Sequence, residues 1–215
     1  MARILLIGGH GKVALLLEPL LVGRGDEVTA VIRDPAQADD VRATGAEPVV
    51  FDVESADRDA MAALFAGHDA VVWSAGAGGG SPERTRAVDL DAAVRSMGAA
   101  TDAGVRRYVM VSYFGSSPQH GVDPGNPFHA YAEAKAAADE HLRGTDLDWT
   151  VLGPGALTAE EATGLINAET TVSAATSRAN TALVVARTLL DPGTVHRTIR
   201  FTDGSVPIAD ALAAG

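Results

Sequence analysis

The chain has 215 residues, a formal net charge of −11, a pI near 4.8 and no Cys. A domain of this length buries roughly 70% of the surface its unfolded chain exposes, so it needs neither metal nor disulfide to be stable, and with no Cys it can form no disulfide. The acidic field repels phosphate backbones and anionic lipid, which makes nucleic acid and membrane surfaces poor partners.

Met1-Ala2-Arg3 runs straight into the apolar stretch Ile4–Ile7, which has strand length and ends in glycine. That opening lacks the pattern of a secretory leader. No apolar run reaches the ~18 residues of a membrane span, so a cytoplasmic protein is expected. Helical apolar spacing follows over Lys12–Val22, then a strand at Val28–Ile32, a helix at Pro35–Ala43 and a strand at Pro48–Phe51. Arg58–Phe65 is helical, Ala70–Trp73 a strand, Arg84–Ala103 a long helix and Arg107–Val111 a strand. After a Pro- and Gly-rich loop, Tyr113–Phe128, come a helix over Ala130–Leu142 and a strand at Trp149–Leu152. Gly153–Thr176 is irregular; a helix at Ala179–Leu190, a strand at Thr198–Phe201 and a short helix at Ile208–Leu212 close the chain. This βα alternation predicts one α/β domain over 1–215, a doubly wound Rossmann-type parallel sheet in a three-layer α/β/α sandwich. The near-continuous Val/Ile/Leu strands suit a sheet covered on both faces. The two irregular stretches read as substrate-side loops.

The first βα turn is Gly8-Gly9-His10-Gly11-Lys12-Val13-Ala14. It fits G-x-G-x-x-A from Gly9 and G-x-x-G-x-x-A from Gly8. Missing side chains let backbone approach a pyrophosphate, and the amides of the helix N-terminus point at it. The pattern is weak alone; its place between the first strand and the first helix gives it meaning. A dinucleotide site on Gly8, Gly9, His10, Gly11, Lys12 and Val13 is expected. At the end of the second strand, where an acid would bind the ribose hydroxyls of NAD, stands Arg33. Asp34 before Pro35 reads as a helix N-cap. Arg33 can clamp a 2′-phosphate bidentately, so NADP(H) is expected over NAD(H). Asp52 and Val53 are placed to meet the adenine, and the small residues Ala75, Gly76 and Ala77 to lie against the nicotinamide ribose.

Tyr131 and Lys135, four apart on a helix, share a face. An ammonium beside a phenol favours the phenolate, so Tyr131 is a candidate proton donor to a carbonyl oxygen near neutral pH. Ser112 ends the fifth strand, where ligands bind in open α/β sheets, and is expected to hydrogen-bond the same oxygen. The six His lack metal-ligand spacing, so no metal is expected. His120 and His129 read as solvated loop residues, Asp89 and Asp91 as a solvated helix face, and Trp73 and Trp149 as core.

The motifs Ile4–Gly11, Val31–Pro35, Tyr108–Ser112 and Tyr131–Lys135 together resemble an atypical short-chain dehydrogenase/reductase of the NmrA-like and biliverdin reductase B-like group. The resemblance runs nearly end to end. It implies NAD(P)H binding and electron transfer to small acceptors such as quinones, flavins or carbonyls. The stretch Leu147–Thr158 is similar to the strand and loop that cover the nicotinamide in that group, which adds Pro154 to the expected contacts, and Ser177-Arg178-Ala179-Asn180 matches a late helix start. Gly153 stands where such proteins usually carry Arg before Pro-Gly, and Asn180 replaces a common Asp. The Tyr/Lys pair is not catalytic throughout the group. A reductase, monomeric or homodimeric, acting on a small-molecule acceptor is therefore expected. A non-enzymatic NADP(H) sensor acting through a protein partner is the alternative, and an epimerase ranks third.

Overall fold

In the computed structural model, which describes residues 1–78 and 81–214, the apolar runs become neighbouring parallel strands. The first half contains β1 (Arg3–Ile7), α1 (Ala14–Gly23), β2 (Glu27–Ile32), α2 (Ala38–Ala43), β3 (Glu47–Val50), α3 (Arg58–Phe65) and β4 (Ala70–Trp73). The long helix is three joined pieces: α4 (Pro82–Thr85), a π-helical segment (Arg86–Ala92) and α5 (Ala93–Asp102). Next come β5 (Arg107–Val111), α6 (His129–Arg143) and β6 (Asp148–Pro154). The second irregular stretch contains β7 (Ala156–Thr158) and β8 (Leu165–Asn167), and β9 (Ala175–Ser177) straddles its end. Strands this short carry no readable periodicity. The chain continues through α7 (Arg178–Thr188), β10 (Arg197–Asp203), β11 (Val206–Pro207) and α8 (Ile208–Ala213).

The nine-stranded sheet has the order β11-β8-β10-β6-β5-β4-β1-β2-β3. From β10 to β3 every pairing is parallel, and β8 and β11 add an antiparallel edge. β7 and β9 form a separate parallel pair. One face of the sheet packs on α1, α2, α7 and α8 through Leu17, Leu21, Val41, Val185 and Leu212. The other packs on α3, α5 and α6 through Met61, Phe65, Met97 and Leu142. Trp73 and Trp149 belong to this second core. The Asp34 carboxylate accepts from Ala36 N–H at 2.9 Å, the cap that the Asp-Pro pair predicts; the helix it opens starts as a 3₁₀ turn, Pro35–Gln37.

One buried charge carries a cost. Glu18 on α1 is fully buried; its Oε2 accepts from Thr44 Oγ1 at 2.8 Å, and its Oε1 has no partner among the described residues. Burial pushes its carboxyl up to about 7. A raised acid pKa means the folded state binds a proton that the unfolded chain has released, so stability falls as pH rises from about 4.5 to about 7 and stays lower above that. The linked loss is on the order of 3 kcal/mol at most. Glu18→Gln keeps the shape of the protonated acid. Thermal melts are expected to show a smaller gap in stability between pH 5 and pH 8 in the variant than in the parent. An unchanged gap would mean Glu18 does not titrate near neutrality.

Candidate functional site

Strand register brings the expected residues to one edge. Ile7 lies opposite both Val31 and Trp73, Trp73 opposite Met110, and Val111 opposite Leu152. The turns after β1, β2, β4, β5 and β6 therefore share the carboxyl edge, and the strand order reverses between β1 and β4, the switch point where such sheets bind ligands. Two cavities meet there. The first, about 390 Å³, is lined by Gly8, His10, Gly11, Arg33, Gln37, Asp52, Val53, Glu54, Ala75, Gly76 and Arg84, among others. The second, about 320 Å³, is lined by Gly11, Lys12, Val13, Ala75, Gly76, Asp89, Ser112, Tyr131, Lys135, Leu157 and Arg178, among others. They share Gly11, Ser74, Ala75, Gly76 and Gly78, so they form one two-lobed groove with the glycine loop at its waist.

The loop needs its glycines for different reasons. Gly8 has φ +86°, and a Cβ there would sit 2.7 Å from Ala75 Cα. Gly9 donates to Val31 O, and a Cβ would meet the Ala30 methyl at 2.7 Å. Gly9 thus sets loop-to-strand packing and lines neither cavity. Ala77 and Pro154, expected to meet the cofactor, also line neither cavity. Ala77 N–H is held by Asp89 Oδ2 at 2.9 Å and its carbonyl by Arg84 at 2.7 Å, while Pro154 O accepts from Phe114 N–H.

In the second lobe, Lys135 is buried, and its Nζ donates to Val111 O at 3.0 Å. Tyr131 packs against Tyr113 and Phe128, with ring centroids 5.5 and 5.1 Å away. Among the described residues its hydroxyl has no hydrogen-bond partner, and it lines the cavity. Ser112 Oγ donates to Asp139 Oδ2, which also accepts from Ser116 Oγ. The single Ser112 proton is thereby committed to Asp139, away from any acceptor oxygen.

A family model described as NAD(P)H-binding matches residues 8–192. The chain belongs to this NAD(P)H-binding family. It is 34% identical over 235 residues to UPF0659 protein C216.03 of Schizosaccharomyces pombe, covering 99% of this chain and 94% of that protein. It is 33% identical over 214 residues to the Bacillus subtilis protein named uncharacterized sugar epimerase YhfK, covering 98% of each. The crystal structure of the oxidoreductase ylbE from Lactococcus lactis superposes with a TM-score of 0.87 at 31% identity, over 99% of this chain and 95% of that one. The atypical short-chain reductase resemblance and the Rossmann-type fold both stand.

The electrostatics of this NAD(P)H-binding protein correct one expectation. Tyr131 holds its proton more tightly than a free phenol: burial dominates, and the negative charges of Asp89 and Asp139 add to it. Lys135, spent on a carbonyl, does not overturn that balance. Sequence reasoning also misplaced Asp89. It is buried, its carboxylate touches the loop at Gly76 and Ala77, and burial raises its pKa while Lys135 opposes the rise. A signal was present, since Thr85, Val88, Asp89, Ala92 and Ala93 form one buried stripe. Asp139 was missed in the same way, on the stripe with Lys135 and Leu142. Asp91 does face outward, near Arg86.

His120 and His129 are not free loop residues. Val122 N–H donates to His120 Nδ1 at 3.0 Å, His120 Nε2 lies 2.7 Å from Glu133 Oε1, and His129 Nδ1 lies 2.9 Å from Val122 O. Ligand atoms of His120, His129 and Glu133 come within 4.8 Å of one another. His120 is satisfied within the protein: with Nδ1 accepting from Val122 N–H, it carries its proton on Nε2 and donates it to Glu133. These bonds staple the 113–128 loop to α6. No helix among the described residues is long and apolar enough to cross a membrane.

Proposed function

We propose that this protein is an NADPH-dependent reductase that delivers hydride to a small acceptor such as a quinone, flavin or carbonyl compound. The two-lobed groove across the switch point carries the reading. Its arginine-lined lobe suits a phosphorylated adenosine, and its Tyr131/Lys135 lobe suits a nicotinamide and an acceptor. The residues present fit a dinucleotide: Gly8 and Gly11 leave backbone bare at the waist, and α1 starts just beyond. A bound reduced nicotinamide supplies the hydride. Lys12 and the Gly11–Val13 backbone would hold the diphosphate, and Lys135 would hold the nicotinamide ribose. Tyr131 passes its proton to the acceptor oxygen and is reprotonated from solvent. The reading implies a small-molecule partner, a cytoplasmic setting and a monomer or homodimer.

Arg33 supports the phosphate. Its side chain is 59% exposed, and its guanidinium lies 3.8 Å from Glu54, which Arg84 holds more closely at 3.3 Å. A 2′-phosphate replaces that loose pairing with charge-assisted hydrogen bonds of about 1.5–3 kcal/mol. Fluorescence titration is expected to find NADPH bound more tightly than NADH. Arg33→Ala should cost about tenfold or more for NADPH and little for NADH. Equal wild-type affinities would overturn the NADP assignment. Nicotinamide absorbance with flavin, quinone and aldehyde panels then tests turnover. Tight NADPH binding with every acceptor inert would favour the sensor reading. Retention of oxidised cofactor through purification would favour the epimerase reading that the name of the Bacillus subtilis relative carries.

A further inference from the structure

Arg178 is, among the described residues, the one arginine with neither a hydrogen bond nor an ion pair; the others bind carboxylates, carbonyls or both. A carboxylate is close by in the chain's own cap. Asp203 accepts from Ser177 N–H at 2.8 Å and from Asn180 Nδ2 at 2.7 Å, one residue before and two residues after Arg178. Arg178 does not join them; it lines the second lobe of the groove instead. It is also the first residue of α7, where a cation opposes the helix dipole. The amides of that turn are already capped, because Ser177 Oγ accepts from Ala179 and Asn180 N–H. Any anion drawn to this place is therefore met by the guanidinium itself.

The lobe is locally positive in an acidic protein. Lys12, Lys135 and Arg178 face it with Asp89 alone opposing, while the whole chain carries −11. Two of the cations have assignments: Lys135 donates to Val111 O, and Lys12 stands beside the waist where a diphosphate would lie. Arg178 and Leu157 line only the second lobe and are absent from the first. They share that lobe with Tyr131 and Lys135, away from the arginine-lined lobe that suits the adenosine.

We propose that Arg178 recognises an anionic group on the acceptor, so that the acceptor is a small carbonyl compound bearing a carboxylate. This rests on the reductase reading and names its substrate class. The guanidinium pairs with the carboxylate bidentately. The carbonyl carbon receives a hydride, two electrons and one hydrogen, from NADPH. The carbonyl oxygen takes the Tyr131 proton, the product is the hydroxy acid with NADP⁺, and solvent returns a proton to the phenolate.

The test pairs 4-carboxybenzaldehyde with its neutral isostere 4-carbamoylbenzaldehyde, on wild type, Arg178→Ala and Arg178→Lys, with NADPH affinity measured alongside. Wild type is expected to show a KM for the acid about tenfold or more below that for the amide, a factor that one charge-assisted pair supplies. Arg178→Ala should raise the KM for the acid about tenfold relative to that for the amide, closing the gap, and Arg178→Lys should restore part of it. Equal KM values in the wild type overturn the proposal. So does an Arg178→Ala variant that weakens NADPH and both aldehydes alike, since the guanidinium would then serve the cofactor diphosphate. Calorimetric titration of benzoate into the NADP⁺-saturated protein separates the two readings. If neither aldehyde is turned over but benzoate binding depends on Arg178, the reductase reading fails and the anion subsite stands. Benzoate that binds wild type and Arg178→Ala equally, or neither, overturns the subsite.

Discussion

Gly8→Ala is expected to weaken dinucleotide binding by about 100-fold, the upper end of what 1–3 kcal/mol of local backbone strain produces. Two effects combine at this position. Gly8 has φ +86°, where an L side chain is strained. Its new Cβ would also meet Ala75 Cα at 2.7 Å, Ala75 N at 2.8 Å and Ser74 C at 3.0 Å, all of them backbone. Relief requires the turn after β1 or the turn after β4 to move, and both form the waist of the groove. Gly9→Ala meets a different obstacle, the methyl of Ala30 at 2.7 Å. Ala30→Gly removes that methyl, at about 0.5–1 kcal/mol for a glycine inside a strand. Nicotinamide fluorescence and thermal melts should therefore rank the variants: Gly8→Ala worst and not rescued by Ala30→Gly, Gly9→Ala intermediate and partly rescued, since Ala30 C and Cα remain 3.1 and 3.2 Å from the new Cβ. Wild-type affinity in Gly8→Ala would mean the waist does not hold the cofactor.

The elements whose physics is local were the ones the sequence made readable. The turn Gly8–Val13, the cap at Asp34 and the apolar strands depend on neighbours within a few residues, and the structure places each where its pattern implies. What escaped depends on distant partners. Asp89 and Asp139 look like surface acids because acids are rarely buried without partners. Their partners are Ala77 N–H, 12 residues away, and the hydroxyls of Ser112 and Ser116, 27 and 23 residues away. Gly153 shows the same limit. A Cβ there would press on Tyr113 O at 3.1 Å and on Arg200 Cγ at 3.3 Å, and Arg200 is its register partner on β10. An arginine there, usual in the group the chain resembles, would require Tyr113 O and the Arg200 stem to give by a few tenths of an ångström.

Tyr131→Phe is expected to lower aldehyde turnover by about 10²–10⁴-fold, the range for losing a positioned general acid, while NADPH affinity is kept. The fold should tolerate the change. Phenylalanine preserves the packing on Tyr113 and Phe128, and no hydrogen bond among the described residues is lost with the hydroxyl. Quinone and flavin reduction should fall far less, since water can protonate those products. The raised phenol pKa sets the pH dependence. A proton donor works in its protonated form, and burial with Asp89 and Asp139 holds Tyr131 protonated above the ordinary phenol range. Wild-type aldehyde reduction should therefore persist through pH 9 without the decline near neutrality that a Lys-lowered phenol would give. A decline between pH 7 and 8 that disappears in Tyr131→Phe would show that bound cofactor reverses the balance, with Lys135 turned from Val111 O toward the phenol. Full aldehyde turnover in Tyr131→Phe would move the proton to another donor. Asp89, the other titratable group facing the lobe with its pKa raised, is the first to test, and Asp89→Asn separates proton donation from its grip on Ala77.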